Sequence, residues 1–308
     1  MKILITPRSF GKNNPNLFTQ LENKGLEIIK NDTGGILTEE KICQMIKDCS
    51  GIILGVDPMN KNVLSKAPKL KTIAKYGVGT DNIDLEFCKE HNIKVSKTIG
   101  ANSNAVADYA FAMMLAVARK ITVIDKACRN KDWSKVTSID IYGKKLGIIG
   151  LGAVGKCLAK RAKGFDMQIL AHDIFWDNDF ASQYCIQKVD IDTIFKEADV
   201  ISLHTNLTDE TRNLVNKKRL NYMKKTAILI NTARGELVDE SALLEALIEN
   251  QIFGAGIDVF TKEPPEDPRW FELNNIILGS HTSSSTIQAT NDMGQMAVNN
   301  LLNDLGIS

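Results

Sequence analysis

Apolar residues along this chain come in short runs, and amphipathic stretches separate one run from the next. The runs Lys2–Thr6, Gly51–Leu54, Leu70–Lys75 and Ile93–Ser96 have the length of strands rather than helices. Between them, Leu17–Asn23, Thr38–Asp48, Asn60–Lys66 and Leu85–His91 carry helical patterns. Thr38 followed by Glu39 and Glu40 is an N-cap with acids in the first turn. A long helical pattern then runs from about Asn102 to Asn130, and a loop containing Trp133 leads to Gly143. From Lys144 the alternation resumes, with strands predicted at Leu146–Ile149, Met167–Ala171, Val200–His204, Ala227–Asn231, Gly254–Val259 and Ile276–Leu278. Glu240–Asn250 is the clearest helix between them, and the tail from about Ser285 to Leu305 is again helical in pattern. Strands alternating with helices imply βαβ units and parallel sheets. Two α/β sheets therefore follow one another, joined between Val95 and Gly143. Periodicity alone leaves open which of them the tail helix covers.

At 308 residues, with 44% hydrophobic and 24% charged residues, the chain has material for a globular protein of two domains. Its 38 basic and 37 acidic residues nearly cancel, which argues against nucleic acid or an anionic membrane surface as a partner. Cys43, Cys49, Cys88, Cys128, Cys157 and Cys185 include no C-x-x-C pair and read as scattered thiols of a reducing compartment, with no metal set. The first apolar run is too short for a signal peptide. The longest apolar stretch, Ala105–Ala118, is interrupted by Asp108 and Tyr109 and is too short to span a bilayer. It predicts a buried or interface helix, and the expected location is the cytoplasm.

Candidate chemistry begins at Gly150-Leu151-Gly152-Ala153-Val154-Gly155, a G-x-G-x-x-G sequence with a predicted strand before it and a helix after it. In this context Gly150 permits a tight turn, Gly152 lets the backbone approach a pyrophosphate, and Gly155 lets helix pack on strand. The helix N-terminus then offers free N–H groups to the phosphates. Asp173 follows Gly155 by 18 residues, near the spacing of an acid that binds the ribose hydroxyls. Its charge would repel a 2′-phosphate, and Ile174-Phe175-Trp176 supply no base, so NAD is the expected cofactor.

Hydride transfer to or from a nicotinamide needs a general acid/base. Of the four histidines, His91 lies in a polar turn and His172 can simply end a strand. His204 and His281 both follow predicted strands, where α/β proteins bind ligands, and position alone does not choose between them. Arg234, just beyond the strand Ala227–Asn231, suits bidentate binding of a carboxylate. Glu263 could orient a histidine and raise its pKa.

Further segments join these: Tyr76-Gly-Val-Gly-Thr-Asp-Asn-Ile-Asp84, Asn102–Asp108, Gly147–Gly155, Ser202–Thr205, Leu229–Gly235, Gly256–Phe260 with Glu263-Pro-Pro, and His281. In this order the set resembles the D-isomer-specific 2-hydroxyacid dehydrogenases over nearly the whole chain, with the closest resemblance to short-form D-3-phosphoglycerate-dehydrogenase-like members. The resemblance implies an α/β fold of two doubly wound domains with a cleft between them. A Rossmann NAD-binding domain, residues 99–283, would be inserted in a flavodoxin-like substrate-binding domain, residues 1–98 and 284–308. It also implies a homodimer formed through Asn102–Asn130, which would explain the apolar Ala105–Ala118 stretch.

Residue by residue, Arg234 matches the family's substrate-carboxylate arginine, Glu263 its histidine-orienting acid and His281 its general acid/base, which decides between His281 and His204. Gly150, Gly152, Ala153, Val154, Gly155, Asp173, His204, Thr205, Thr232, Ala233, Asp258 and Ser284 match the cofactor-binding set, with Asp258 expected to fix the ring carboxamide. Lys75, Tyr76, Gly77, Val78 and Gly79, with Arg234 and His281, match the substrate-binding set, the Gly77–Gly79 amides facing the substrate carboxylate. Lys75, like Lys97, is a candidate for a distal phosphate. Two departures stand out. Ala153-Val154 replaces the Arg-Ile often found between the second and third glycines, and Thr282-Ser283-Ser284 replaces x-Gly-Ala after the histidine. The expected reaction interconverts a 2-oxo acid and a D-2-hydroxy acid, with a distal phosphate or phosphonate on the substrate. The alternatives are a hydroxypyruvate or glyoxylate reductase and, from another class, a non-catalytic NAD-sensing corepressor-type protein.

Overall fold

A computed structural model describes residues 1–307. The chain divides into two compact units, Met1–Asn102 with the segment from Ser285 onward, and Ser103–Ser284. The joints expected after residues 98 and 283 thus fall after 102 and 284.

The first unit runs β1 (Lys2–Ile5), α1 (Asn16–Asn23), β2 (Glu27–Lys30), α2 (Glu39–Ile46), β3 (Cys49–Leu54), α3 (Lys61–Ser65), β4 (Thr72–Lys75), α4 (Leu85–Glu90) and β5 (Lys94–Lys97). Its strands lie parallel in the order β2-β1-β3-β4-β5, the flavodoxin-like winding. Successive side chains of β3 reach opposite faces, and both faces are covered, which is why the strand is apolar from Gly51 to Leu54. Ile52 and Leu54 pack with Ile42, Ile46, Val63 and Leu64 on one side. Ile53 packs with Leu17, Leu21, Ala297, Val298 and Leu301 on the other. The tail helix therefore belongs to this unit. Thr38 caps α2 by accepting from the Lys41 amide at 3.3 Å. Strand β2 has no counterpart in the sequence reading, because it is an edge strand whose Glu27 and Lys30 face solvent.

The second unit begins with α5 (Ser103–Ala118) and α6 (Ile121–Arg129). It continues through β6 (Lys145–Ile149), α7 (Ala153–Lys163), β7 (Gln168–His172), α8 (Asn178–Gln183), β8 (Ile186–Lys188), α9 (Ile191–Glu197), β9 (Val200–Leu203), α10 (Lys217–Leu220), β10 (Ile228–Asn231), α11 (Glu240–Ile248), β11 (Gly254–Ile257) and β12 (Ile276–Leu278). The last helix, α12 (Ile287–Leu305), closes the chain in the first unit. The seven strands are parallel in the order β12-β11-β10-β9-β6-β7-β8, a Rossmann sheet with one further strand. Its order reverses between β6 and β9, the point where such sheets bind ligands.

One expectation is corrected here. The helical pattern from Asn102 to Asn130 is two helices, because Lys120 takes a left-handed conformation (φ 50°) and ends the first. Helix α5 buries Ala107, Ala110, Met114 and Ala118 with Leu146, Ile148 and Ile230 of its own unit. Its apolar character is therefore accounted for without a second copy, whereas α6 buries none of its residues. Among the described residues no helix is long and apolar enough to cross a membrane, no acid, His or Cys group is arranged to hold a metal ion, and all six cysteines are free.

Candidate active site

The loop after β6 threads between its two neighbours. The Gly150 amide donates to the His172 carbonyl at 2.9 Å, and the His204 amide donates to the Ile149 carbonyl at 2.7 Å. Gly150 has φ 98°, and a Cβ there would lie 2.5 Å from the His204 carbonyl group, so this turn demands glycine. At Gly155 a Cβ would lie 2.1 Å from the Gly150 oxygen, so helix and loop touch through backbone. Gly152, the N-cap of α7, has nothing within 4 Å of where its Cβ would stand. That open space at the helix N-terminus fits a pyrophosphate, and the Ala153 and Val154 side chains leave the cradle of amides intact.

Other groups around this strand edge fit a dinucleotide as well. Asp173 accepts from the Leu151 amide at 2.6 Å and from the Phe175 amide at 2.7 Å. Each carboxylate oxygen keeps a lone pair for a ribose hydroxyl while the carboxylate also braces the glycine turn. The Thr232 hydroxyl, on a residue only 8% exposed, has no partner among the described residues, as expected of a group that a ligand completes.

Beyond β10 the chain turns on Asn231, which is fully buried. Its side chain accepts from the Ala233 amide (3.0 Å) and donates to the Arg234 carbonyl (2.8 Å), while the Arg234 guanidinium donates to the Ala233 carbonyl (2.6 Å). Gly235 follows because its neighbour is backbone: a Cβ would stand 2.1 Å from the Phe260 carbonyl carbon. This close approach brings the arginine turn against the loop that leads to Glu263.

Asp258, fully buried just past β11, organises that region. Its backbone oxygen accepts from the His281 amide at 2.7 Å, and its two carboxylate oxygens accept from Thr282 (3.0 Å) and Ser283 (2.9 Å). Three bonds thus hold the turn at His281, whose φ of 55° is uncommon for a non-glycine residue. This carboxylate was expected to fix a ring carboxamide; its two observed bonds instead serve the histidine turn. A contact with a ligand would use the remaining lone pairs.

The His281 Nδ1 lies 2.9 and 3.1 Å from the two Glu263 carboxylate oxygens, one of which also accepts from the Phe260 amide at 3.1 Å. Burial of Glu263 works against its ionisation. The hydrogen bond and charge of His281, the Phe260 amide and the nearby Arg234 charge outweigh it and hold the carboxyl below its ordinary range. An ionised Glu263 assigns the Nδ1 proton to the pair and leaves Nε2 to exchange a proton with a substrate. Arg234, Glu263 and His281 therefore gather at one edge of the second unit. His204 differs: its Nε2 lies 2.8 Å from the Ser202 hydroxyl, and burial pushes its pKa down to about 4, so it stays neutral.

In the first unit the expected substrate set divides. Gly77 spends its amide on the Thr98 hydroxyl at 2.8 Å, which corrects its expected role as a carboxylate donor. The Val78 and Gly79 amides have no acceptor among the described residues, and Val78 is exposed. The Tyr76 hydroxyl donates to the Thr290 carbonyl of α12 at 2.8 Å, and its ring meets Phe10 edge-on, so Tyr76 anchors the loop. Lys75 is only 5% exposed, and its ammonium donates to the Gly55 carbonyl and to the Asn82 side chain, the latter at 3.1 Å. Its expected exposure to a distal phosphate is corrected. Thr98, Asn82 and Asn231 escaped the sequence reading because each acts through a partner that no local pattern names.

Residues 111–283 match the family described as "D-isomer specific 2-hydroxyacid dehydrogenase, NAD binding domain". A glyoxylate reductase of Thermococcus litoralis is 42% identical over 260 residues, covering 82% of this chain and 78% of that one. A hydroxypyruvate reductase of Thermotoga maritima is 36% identical over 278 residues, covering 88% and 90%. Among solved structures, D-lactate dehydrogenase of Aquifex aeolicus complexed with NAD and lactic acid superposes with a TM-score of 0.85 at 27% identity, over 99% of this chain and 96% of that one. The shared fold, the glycine cradle and these relatives lead to one conclusion: the chain belongs to the D-isomer-specific 2-hydroxyacid dehydrogenases and is an NAD-dependent enzyme of that family.

Proposed function

We propose that this enzyme reduces short 2-oxo acids without a distal phosphate, with glyoxylate and hydroxypyruvate as the substrate class. The observation that carries the reading is the buried Lys75 ammonium, which is committed to Gly55 and Asn82 and so withdraws one of the two candidate lysines from a phosphate. The glyoxylate and hydroxypyruvate reductases among its relatives support the same choice over the phosphoglycerate alternative. When bound, NADH supplies the hydride that reduces the carbonyl carbon. In this reading His281 Nε2 donates a proton to the developing alkoxide, Glu263 stabilises the imidazolium, and the Arg234 fork binds the substrate carboxylate. In the first unit, the Val78 and Gly79 amides are available to an acceptor such as a carboxylate. The family resemblance supports a homodimer, and the six unpaired thiols support a cytoplasmic location.

The test is NADH oxidation by purified protein against glyoxylate, hydroxypyruvate, pyruvate, 3-phosphohydroxypyruvate and 3-phosphonopyruvate. The expected result is a kcat/KM for glyoxylate or hydroxypyruvate at least about tenfold above that of either distal-anion substrate, about 1.4 kcal/mol of transition-state binding. The reverse order overturns the reading. A second expectation concerns the cofactor. Asp173→Ala weakens NADH binding, because it removes both a ribose acceptor and a brace of the glycine turn, and it narrows the advantage of NADH over NADPH. Fluorescence titration with both cofactors measures this, and an unchanged ratio removes Asp173 from ribose recognition.

A further inference from the structure

The residues that hold the substrate loop of the first unit share one polar knot. Lys75 ends β4, and its ammonium donates to the Gly55 carbonyl and to the Asn82 side-chain oxygen. The Asn82 amide group donates onward to the same Gly55 carbonyl at 3.1 Å and to the Asp57 carbonyl at 2.6 Å. The Asn82 carbonyl accepts from the Met59 amide at 2.8 Å. The buried Asp57 carboxylate accepts from the Leu37 amide at 2.8 Å. Two loops at the carboxyl ends of neighbouring strands, residues 55–59 after β3 and 76–82 after β4, are thereby tied together. Within the second of them, Gly77 exchanges bonds with Thr98 (2.8 and 3.1 Å), while Val78 and Gly79 keep amides with no acceptor among the described residues. The segment carrying these two amides is thus pinned on both sides, by Thr98 and Tyr76 before it and by Asn82 after it.

We infer that Lys75 is a positioning residue for substrate binding: through Asn82 it fixes the Val78–Gly79 amides for the carboxylate common to all 2-oxo acids, and it does not recognise a group at the substrate's far end. This deepens the proposed function and rests on it for the identity of the ligand that those amides meet. A carboxylate-orienting role has a signature that a distal-anion role lacks. Loss of the clamp weakens every 2-oxo acid by a similar factor, since each presents the same carboxylate. Loss of a phosphate ligand weakens only the substrate that carries a phosphate.

The experiment measures kcat and KM for glyoxylate, hydroxypyruvate and 3-phosphohydroxypyruvate, together with NADH affinity by fluorescence, in wild type, Lys75→Met, Lys75→Gln, Asn82→Ala and the Lys75→Met/Asn82→Ala pair. Lys75→Met raises KM for all three acids by a common factor of about ten or more, with kcat within about threefold and NADH affinity within about twofold. Lys75→Gln, which retains a donor for Gly55, recovers most of that loss. Asn82→Ala reproduces the effect and adds little to Lys75→Met, because one clamp can be broken only once. Should Lys75→Met fail to fold, Asn82→Ala at the half-exposed end of the knot carries the same readout. The inference is overturned by a glyoxylate KM that stays within twofold in these variants while that of the phosphorylated acid rises. It is equally overturned by NADH affinity and kcat falling in step with KM, which would mark a general loss of structure. A wild-type preference for the phosphorylated acid would instead sink the proposed substrate class, and the glyoxylate KM of the variants would still decide whether the clamp exists.

Discussion

Replacing His281 with alanine lowers kcat by about 10²–10⁴-fold while NADH still binds. The expectation follows from how much of the second unit is devoted to this one ring. The Nδ1 faces a carboxylate held below its ordinary pKa range, which leaves Nε2 as the ring nitrogen for the proposed proton transfer. The left-handed backbone of His281 is held by three bonds to Asp258, and glycine at position 279 lets the chain pass: a Cβ there would fall 2.2 Å from an Asp258 carboxylate oxygen. Alanine keeps the turn and removes only the ring, which is why cofactor affinity is expected to survive. Single-turnover measurements at saturating NADH isolate the chemical step. Turnover close to that of wild type would remove His281 from proton transfer and send the search to another acid.

Arg234→Lys raises the substrate KM by about tenfold or more, although the charge is conserved. A guanidinium offers two parallel donors to a carboxylate, whereas an ammonium is a point charge on a flexible stem. The turn at Arg234 is built for a fixed direction, since buried Asn231 grips the backbone on both sides of Ala233 and Gly235 seats it against Phe260. Lysine retains the positive charge that helps keep Glu263 ionised, so the loss should fall mainly on KM. Arg234→Gln removes that charge as well and should lower kcat in addition. Steady-state kinetics on glyoxylate separate the two variants. An unchanged KM in Arg234→Lys would mean that the carboxylate is held by other groups.

The two histidines show where sequence reading reached its limit. His204 and His281 both follow strands, and only the family resemblance favoured His281. The fold gives the physical reason: His204 sits half-buried beside Ser202 and stays neutral, whereas His281 faces an ionised partner 18 positions away. Lys75 shows the opposite outcome. A lysine next to a substrate loop suggests an anion site, but its direction depends on whether carbonyl and amide acceptors gather beneath it, and those come from Gly55 and Asn82.

Elements whose information is local are legible in the amino-acid order. Unbroken apolar runs marked the strands covered on both faces, and the glycine fingerprint with Asp173 marked the cofactor turn, because its steric demands fall within a few consecutive residues. No apolar run marks β2 or β8, because both are edge strands with solvent-facing residues. Nor does side-chain periodicity encode the backbone conformation that breaks the helix at Lys120. The partner of the Lys75 ammonium, the carboxylate that clamps the His281 turn and the acceptor of the Gly77 amide follow from the assembled fold. Each of these depends on hydrogen-bond partners from distant strand ends, and those ends meet only once the sheet has set their order.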